Sequence, residues 1–173
     1  MAADLHHYRA CIRWTGNRGQ GTRDYRAYGR DYTVAVEGKA EIAGSADPAF
    51  LGDPARHNPE DLLLASLSSC HMLWYLHLAA EAGIVVTGYV DRAEASMDAT
   101  GQRGHFTGAV LRPQVTIADG DPLLAEVLHE AAHQACFIAN SVNFPVRCEP
   151  VITTAASSPS PDSPPEFPQD TQS

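Results

Sequence analysis

Basic side chains are scarce in this sequence, with 12 Lys and Arg set against 21 Asp and Glu for a formal net charge of −9. A chain so charged repels phosphates, which argues against nucleic acid and acidic membrane surfaces as partners. No apolar run approaches the roughly 18–20 residues that a bilayer span needs. The first nine residues lack the basic-then-apolar order of a secretory signal. The expectation is a soluble, cytoplasmic protein without a nucleic-acid or membrane partner.

Cysteine is also sparse, at four residues in 173. In a reducing cytosol such residues seldom staple a fold; they pack, bind metal or react. Cys11 and Cys148 fall in alternating, strand-like segments and read as small buried or half-buried residues. Cys70 and Cys136 fall on helical patterns beside polar and histidine residues, so the chemistry is sought there.

With 44% hydrophobic and 19% charged residues, the chain can build one compact domain. Residues 153–173 are mostly Pro, Ser, Thr and Asp, too poor in apolar groups to offset their ordering entropy. They are read as a disordered tail, leaving residues 1–152 as the folded domain. Tyr8, Ala10, Ile12 and Trp14 alternate with polar residues as in a half-buried strand, and residues 32–37 alternate again. Residues 44–57 read as an irregular loop.

A helix then starts sharply. Asn58 is a good N-cap, Pro59 suits the first turn, and Asp61 completes a capping box. Leu62, Leu63, Leu67, Cys70, Leu73, Trp74 and Leu78 recur at helical spacing, and Gly83 ends the run. Being apolar on most sides, this helix is expected to be central and buried. Residues 84–97 and 106–117 read as strands, the second interrupted by Pro113 at an edge or bulge. Asp121 and Pro122 open a second helix reaching about residue 140, with Leu124, Val127, Leu128, Ala131, Ala135 and Ile138 as its core stripe. A strand over 144–152 closes the domain. Strands, helix, strands, helix and strand make an α+β fold.

A nucleophilic cysteine must be a thiolate, which requires something to lower its pKa from about 8.5. Cys70 lies twelve residues past Asn58, too far for the helix dipole of an unbroken helix to help. The run Ser66-Leu67-Ser68-Ser69 therefore predicts a break that would place Cys70 near a new N-terminus. An arginine held by Glu60 is the other route to a thiolate, with Arg18, Arg30 and Arg56 as candidates. Cys136 lies beside the apolar stripe of the second helix, where a partner thiol should be accessible. His129, His133 and Cys136, at i, i+4 and i+7, offer a competing zinc-type ligand set to which Cys70 and His71 could add.

The run from Asn58-Pro59-Glu60 through Ser69-Cys70-His71-Met72 resembles the signature of the OsmC/Ohr family of thiol-dependent hydroperoxide reductases. Cys136, followed by Ala139, Asn140 and Ser141, resembles the family's second cysteine, although Phe137 stands where Pro is common. The similarity spans roughly residues 8–152. It implies antiparallel sheets packed around a long central helix plus a second helix, in an intertwined homodimer. It further implies a peroxiredoxin-like enzyme with Cys70 as peroxidatic cysteine, Cys136 as resolving cysteine and Glu60 orienting an arginine. Arg18, in Thr15-Gly16-Asn17-Arg18-Gly19, matches the Ohr branch best, with Arg56 or Arg30 as alternatives. Cys70 would become a sulfenic acid on meeting an organic hydroperoxide and then close a disulfide with Cys136. An external dithiol or lipoyl-type reductant would restore both thiols without a bound cofactor. Trp74, Phe50 and Phe137 are either an apolar entry or plain core. An OsmC-like domain that binds zinc or a ligand without peroxidase activity is the alternative.

Overall fold

The computed structural model describes residues 5–101 and 103–155. They fall into two compact units that meet at Leu63 and Leu64. The tail predicted over 153–173 lies outside the described residues from 156 onward.

In the first unit, β1 (Cys11–Trp14), β2 (Tyr32–Ala35) and β3 (Ile42–Gly44) form an antiparallel sheet in that order. β1 is exposed along its whole length rather than half-buried, and Cys11 is exposed with it, contrary to expectation. A single short neighbouring strand covers too little of this four-residue segment. The irregular loop after β3 holds one 3₁₀ turn (Pro48–Phe50). It is organised by Ser45, whose Oγ donates to Asp31 and accepts the Asp53 N–H.

α1 (Pro59–Glu81) crosses from the first unit into the second as one uninterrupted helix. Its start follows the capping box: the Asp61 N–H donates to Asn58 Oδ1 at 2.7 Å and the Asn58 N–H to Asp61 Oδ2 at 3.2 Å. Its end is a Schellman turn on Gly83 (φ 72°), with Ile84 N–H on Ala79 O and Gly83 N–H on Ala80 O. The expected break at the serines is absent. Ser68 donates to Asp91 Oδ2 at 2.5 Å and Ser69 to the Ser66 carbonyl at 3.3 Å. These hydroxyls are satisfied without disturbing the helical ladder, so the backbone has no reason to break.

By length and composition α1 would suffice to cross a bilayer, a property missed when only unbroken apolar runs are counted. Only one stripe of it is buried, Leu67, His71, Tyr75 and Ala79, while Leu73 is 62% exposed. The helix is therefore not enclosed on most sides within a single chain. Its stripe belongs to the core of the second unit, where Tyr75 and Ala79 pack with Ile84, Val115, Ile117, Ala125 and Ala132.

The second unit's strands are β4 (Val85–Asp91), β5 (Glu94–Asp98), β6 (His105–Leu111), β7 (Pro113–Asp119), β8 (Val146–Cys148) and β9 (Val151–Thr154). They form two three-stranded sheets, β4-β7-β9 and β5-β6-β8. In each sheet one pair is antiparallel and the other parallel, so the sheets are mixed rather than wholly antiparallel. Each predicted long strand bends into two, at residues 92–93, 112 and 149–150. Pro113 sits on central strand β7, not on an edge. As the strand's first residue it withholds no N–H from the interior of the ladder. β9 runs to Thr154, so Thr153 and Thr154 are strand rather than tail.

α2 (Pro122–Ala135) begins on Asp121, whose side chain accepts the Leu123 N–H, and ends earlier than expected, at Ala135. Its buried residues are Ala125, His129 and Ala132. The stripe chosen from the sequence is largely exposed, with Val127 at 66% and Leu124 at 40%. The small alanines let α2 lie close to its sheet, and the larger aliphatic residues are left facing outward.

Candidate functional site

The second unit brings two sets of chemical groups together. The first is Cys70 with Cys136. Cys70 is half-buried near the middle of α1, without the help of a helix N-terminus. Cys136 is not on a helix flank: it is the C-cap of α2, with extended backbone (φ −68°, ψ 109°), and is 1% exposed. The expected accessible resolving cysteine is thus a buried one. The turn after it (Ala139–Ser141) aims the Ala139 N–H at its sulfur, 3.4 Å away. The Cys70 side chain lies close enough to raise its pKa.

Burial pushes the Cys136 thiol up to about 11, the Ala139 N–H pulls it back in part, and the neighbouring Cys70 raises it further. Trp74, one turn beyond Cys70, meets the Phe137 ring edge-on at 5.5 Å. Phe137 is 68% exposed and, in the first unit, Phe50 is 41% exposed, so neither is core.

The second cluster joins α1, α2 and β8. His71 Nε2 lies 2.9 Å from His129 Nδ1, and the Cys148 sulfur lies 3.5 Å from the first and 3.8 Å from the second. Both histidines are essentially inaccessible. The His129 ring meets His71 edge to edge, with centroids 5.3 Å apart, and stacks on Tyr75 at 3.9 Å. Burial, with the nearby His133, depresses His71 to about 4; burial, with His71, depresses His129 to about 3. Both are therefore neutral imidazoles near pH 7. The Cys148 thiol is pushed up to about 12, first by burial and then by Asp91, Glu149 and Glu130.

The metal set read from the sequence, His129, His133 and Cys136, is not assembled. His129 faces His71 and Cys148, whereas Cys136 is turned to Cys70 by its capping conformation. Cys148 was missed because its partners lie 19 and 77 residues away in the chain, a juxtaposition that no local spacing encodes.

The remaining candidates belong to the first unit. Arg30 is engaged with the Tyr28 and Tyr25 carbonyls at 2.5 and 2.6 Å, and with both tyrosine rings. Arg56 pairs with Asp53 at 3.3 Å and Asp31 at 3.9 Å. Arg18 is exposed and has no carboxylate partner among the described residues. Glu60 Oε2 is buried without a hydrogen-bond partner. Burial, followed by the charges of Glu60 and Asp61, raises the Tyr32 phenol. Glu60 stands ten residues before Cys70 on one continuous helix, about 15 Å of axial rise.

The fold is α+β with two helices, one thiol midway along α1 and a second capping α2. The chain belongs to the OsmC family: the family model for OsmC-like protein matches residues 52–150. An OsmC-like protein of unknown function from Vibrio cholerae is 32% identical over 85% of this chain and 100% of that one, with a TM-score of 0.77. An organic hydroperoxide resistance protein OsmC from Legionella pneumophila is 19% identical (87% and 99% covered, TM-score 0.60). The organic hydroperoxide resistance protein OhrB of Bacillus subtilis is 20% identical (84% and 98% covered, TM-score 0.57). These last two are likenesses of fold. No curated protein matches the chain.

Proposed function

We propose that this OsmC-family protein is a thiol-dependent peroxidase that reduces organic hydroperoxides through Cys70 and Cys136. The observation that carries the reading is the proximity of the two thiols, with Cys136 buried and Cys70 the more accessible. A thiol raised to about 11 by burial is protonated near pH 7 and a poor first nucleophile, which leaves that role to Cys70. The Cys70 thiolate attacks one peroxide oxygen. A sulfur–oxygen bond forms, the oxygen–oxygen bond breaks, and the alcohol leaves after taking up a proton. Cys136 gives up its proton and attacks the sulfenic sulfur, closing the disulfide and releasing water. An external dithiol or lipoyl-type reductant returns both thiols by exchange.

Arg18 is the preferred activating cation, because Arg30 and Arg56 already spend their guanidinium groups on other partners. Glu60, with its buried unmatched oxygen, is suited to orient a guanidinium. The apolar residues left exposed on α1, on α2 and in the turn after it, Leu73, Val127 and Phe137, support assembly as a homodimer. The proposed setting is the cytoplasm, where reduced thiols persist.

The test is the intact mass of reduced protein after one equivalent of an alkyl hydroperoxide. The reading expects a loss of about 2 Da, the two hydrogens of a disulfide, abolished in Cys70→Ser. An unchanged mass would favour a binding module that keeps the fold.

A further inference from the structure

The peroxidase reading leaves the second cluster without a role. We propose that His71, His129 and Cys148 form a binding site for a zinc-type divalent metal ion, with a fourth position open to the cavity between α2 and β8.

The geometry is that of a ligand set. The three donor atoms all lie within 4.8 Å of one another. With zinc–nitrogen bonds of about 2.0–2.1 Å and a zinc–sulfur bond of about 2.3 Å, tetrahedral donors stand about 3.3–3.6 Å apart. The observed separations of 2.9, 3.5 and 3.8 Å bracket that range, so shifts of a few tenths of an ångström would seat the ion.

A closed hydrogen-bond network is the competing explanation, in which His71 Nε2, His129 Nδ1 and the Cys148 sulfur engage one another; metal titration separates the two. The surroundings also favour a cation, since Asp91, Glu130 and Glu149 impose a negative field at Cys148. A cavity of about 770 Å³ lined by His129, His133, Glu130, Cys148 and Glu149 gives access from one side. His133, its Nδ1 buried and unpaired, is a further donor lining that side. Binding exchanges the Cys148 thiol proton, released to solvent, for a metal–sulfur bond, with both imidazoles entering neutral. The ion would tie α1, α2 and β8 of the second unit together.

The experiment uses tag-free, full-length protein, stripped with a chelator and titrated with zinc(II) and, separately, cobalt(II). The expected result is one equivalent bound, a raised thermal midpoint with zinc, and a cobalt spectrum with tetrahedral visible bands and a sulfur charge-transfer band. Cys148→Ser should abolish the charge-transfer band, and His71→Gln should weaken zinc by at least about tenfold. The Cys70→Ser/Cys136→Ser double variant should still bind one equivalent, which separates this site from the redox pair. Should His71→Gln fail to fold, the half-buried Cys148→Ser carries the test alone. Failure of either ion to bind, an unchanged cobalt spectrum in Cys148→Ser, or loss of binding in the double variant would each overturn the proposal.

Discussion

Cys136, buried at the C-cap of α2, lies close enough to Cys70, midway along α1, for the Cys70 side chain to raise its pKa. The pair is therefore pre-assembled, and the two sulfurs are unequal before any oxidant arrives. That inequality separates their substitution phenotypes. Cys70→Ser should lower peroxide consumption on the order of 10³-fold or more, as loss of a sole nucleophile does. Cys136→Ser should retain the first turnover and stop at a sulfenic acid that a dimedone-type reagent traps. Equal loss of the first turnover in both variants would deny the assignment of roles.

Trp74 lies one turn from Cys70 and touches the residue after Cys136. Closing the disulfide must move that contact, so its fluorescence should change in a single exponential on mixing with peroxide. The change should disappear in Cys136→Ser. Persistence there would mean that the signal reports sulfur oxidation alone.

The uninterrupted α1 depends on where its serines find partners. Ser68→Ala removes the donor to Asp91 and should cost about 1–2 kcal/mol in urea unfolding. Ser69→Ala, whose exposed hydroxyl bonds only its own helix, should stay within about 0.5 kcal/mol. Equal effects would contradict the tertiary role given to Ser68.

Both ends of α1 were legible in the sequence, because capping chemistry is local: Asn58, Asp61 and Gly83 do what their residue types dictate. Its interior was not, since whether Ser68 caps a new segment or bonds Asp91 depends on a strand 23 residues away. The same reason hid the buried face of α2. Periodicity identified a stripe of large aliphatic residues there, but close approach to the sheet selected Ala125, His129 and Ala132. Cys70 was singled out by its motif. The approach of Cys136 to it and the cluster around Cys148 needed the fold.

Acid should destabilise the metal-free protein through the buried histidines. His71 and His129 are held near 4 and 3 when folded, below the roughly 6.5 of an unfolded histidine. The unfolded chain thus binds more protons below pH 6.5. The stability these groups contribute is full above that pH and is lost as pH falls toward the folded values. For His71 alone the loss approaches about 3 kcal/mol by pH 4. Urea midpoints of chelator-treated protein between pH 7 and 4 should fall steeply, and less so in His129→Gln. A flat profile would mean that the imidazoles are not held neutral.

The central claim concerns which two sulfurs join. Reduced protein treated with one equivalent of an alkyl hydroperoxide, then alkylated and digested without reduction, shows this directly by peptide mass mapping. The account predicts one dominant cross-linked pair carrying Cys70 and Cys136, with Cys11 and Cys148 recovered alkylated. A cross-link through Cys148, or four alkylated cysteines, would contradict it.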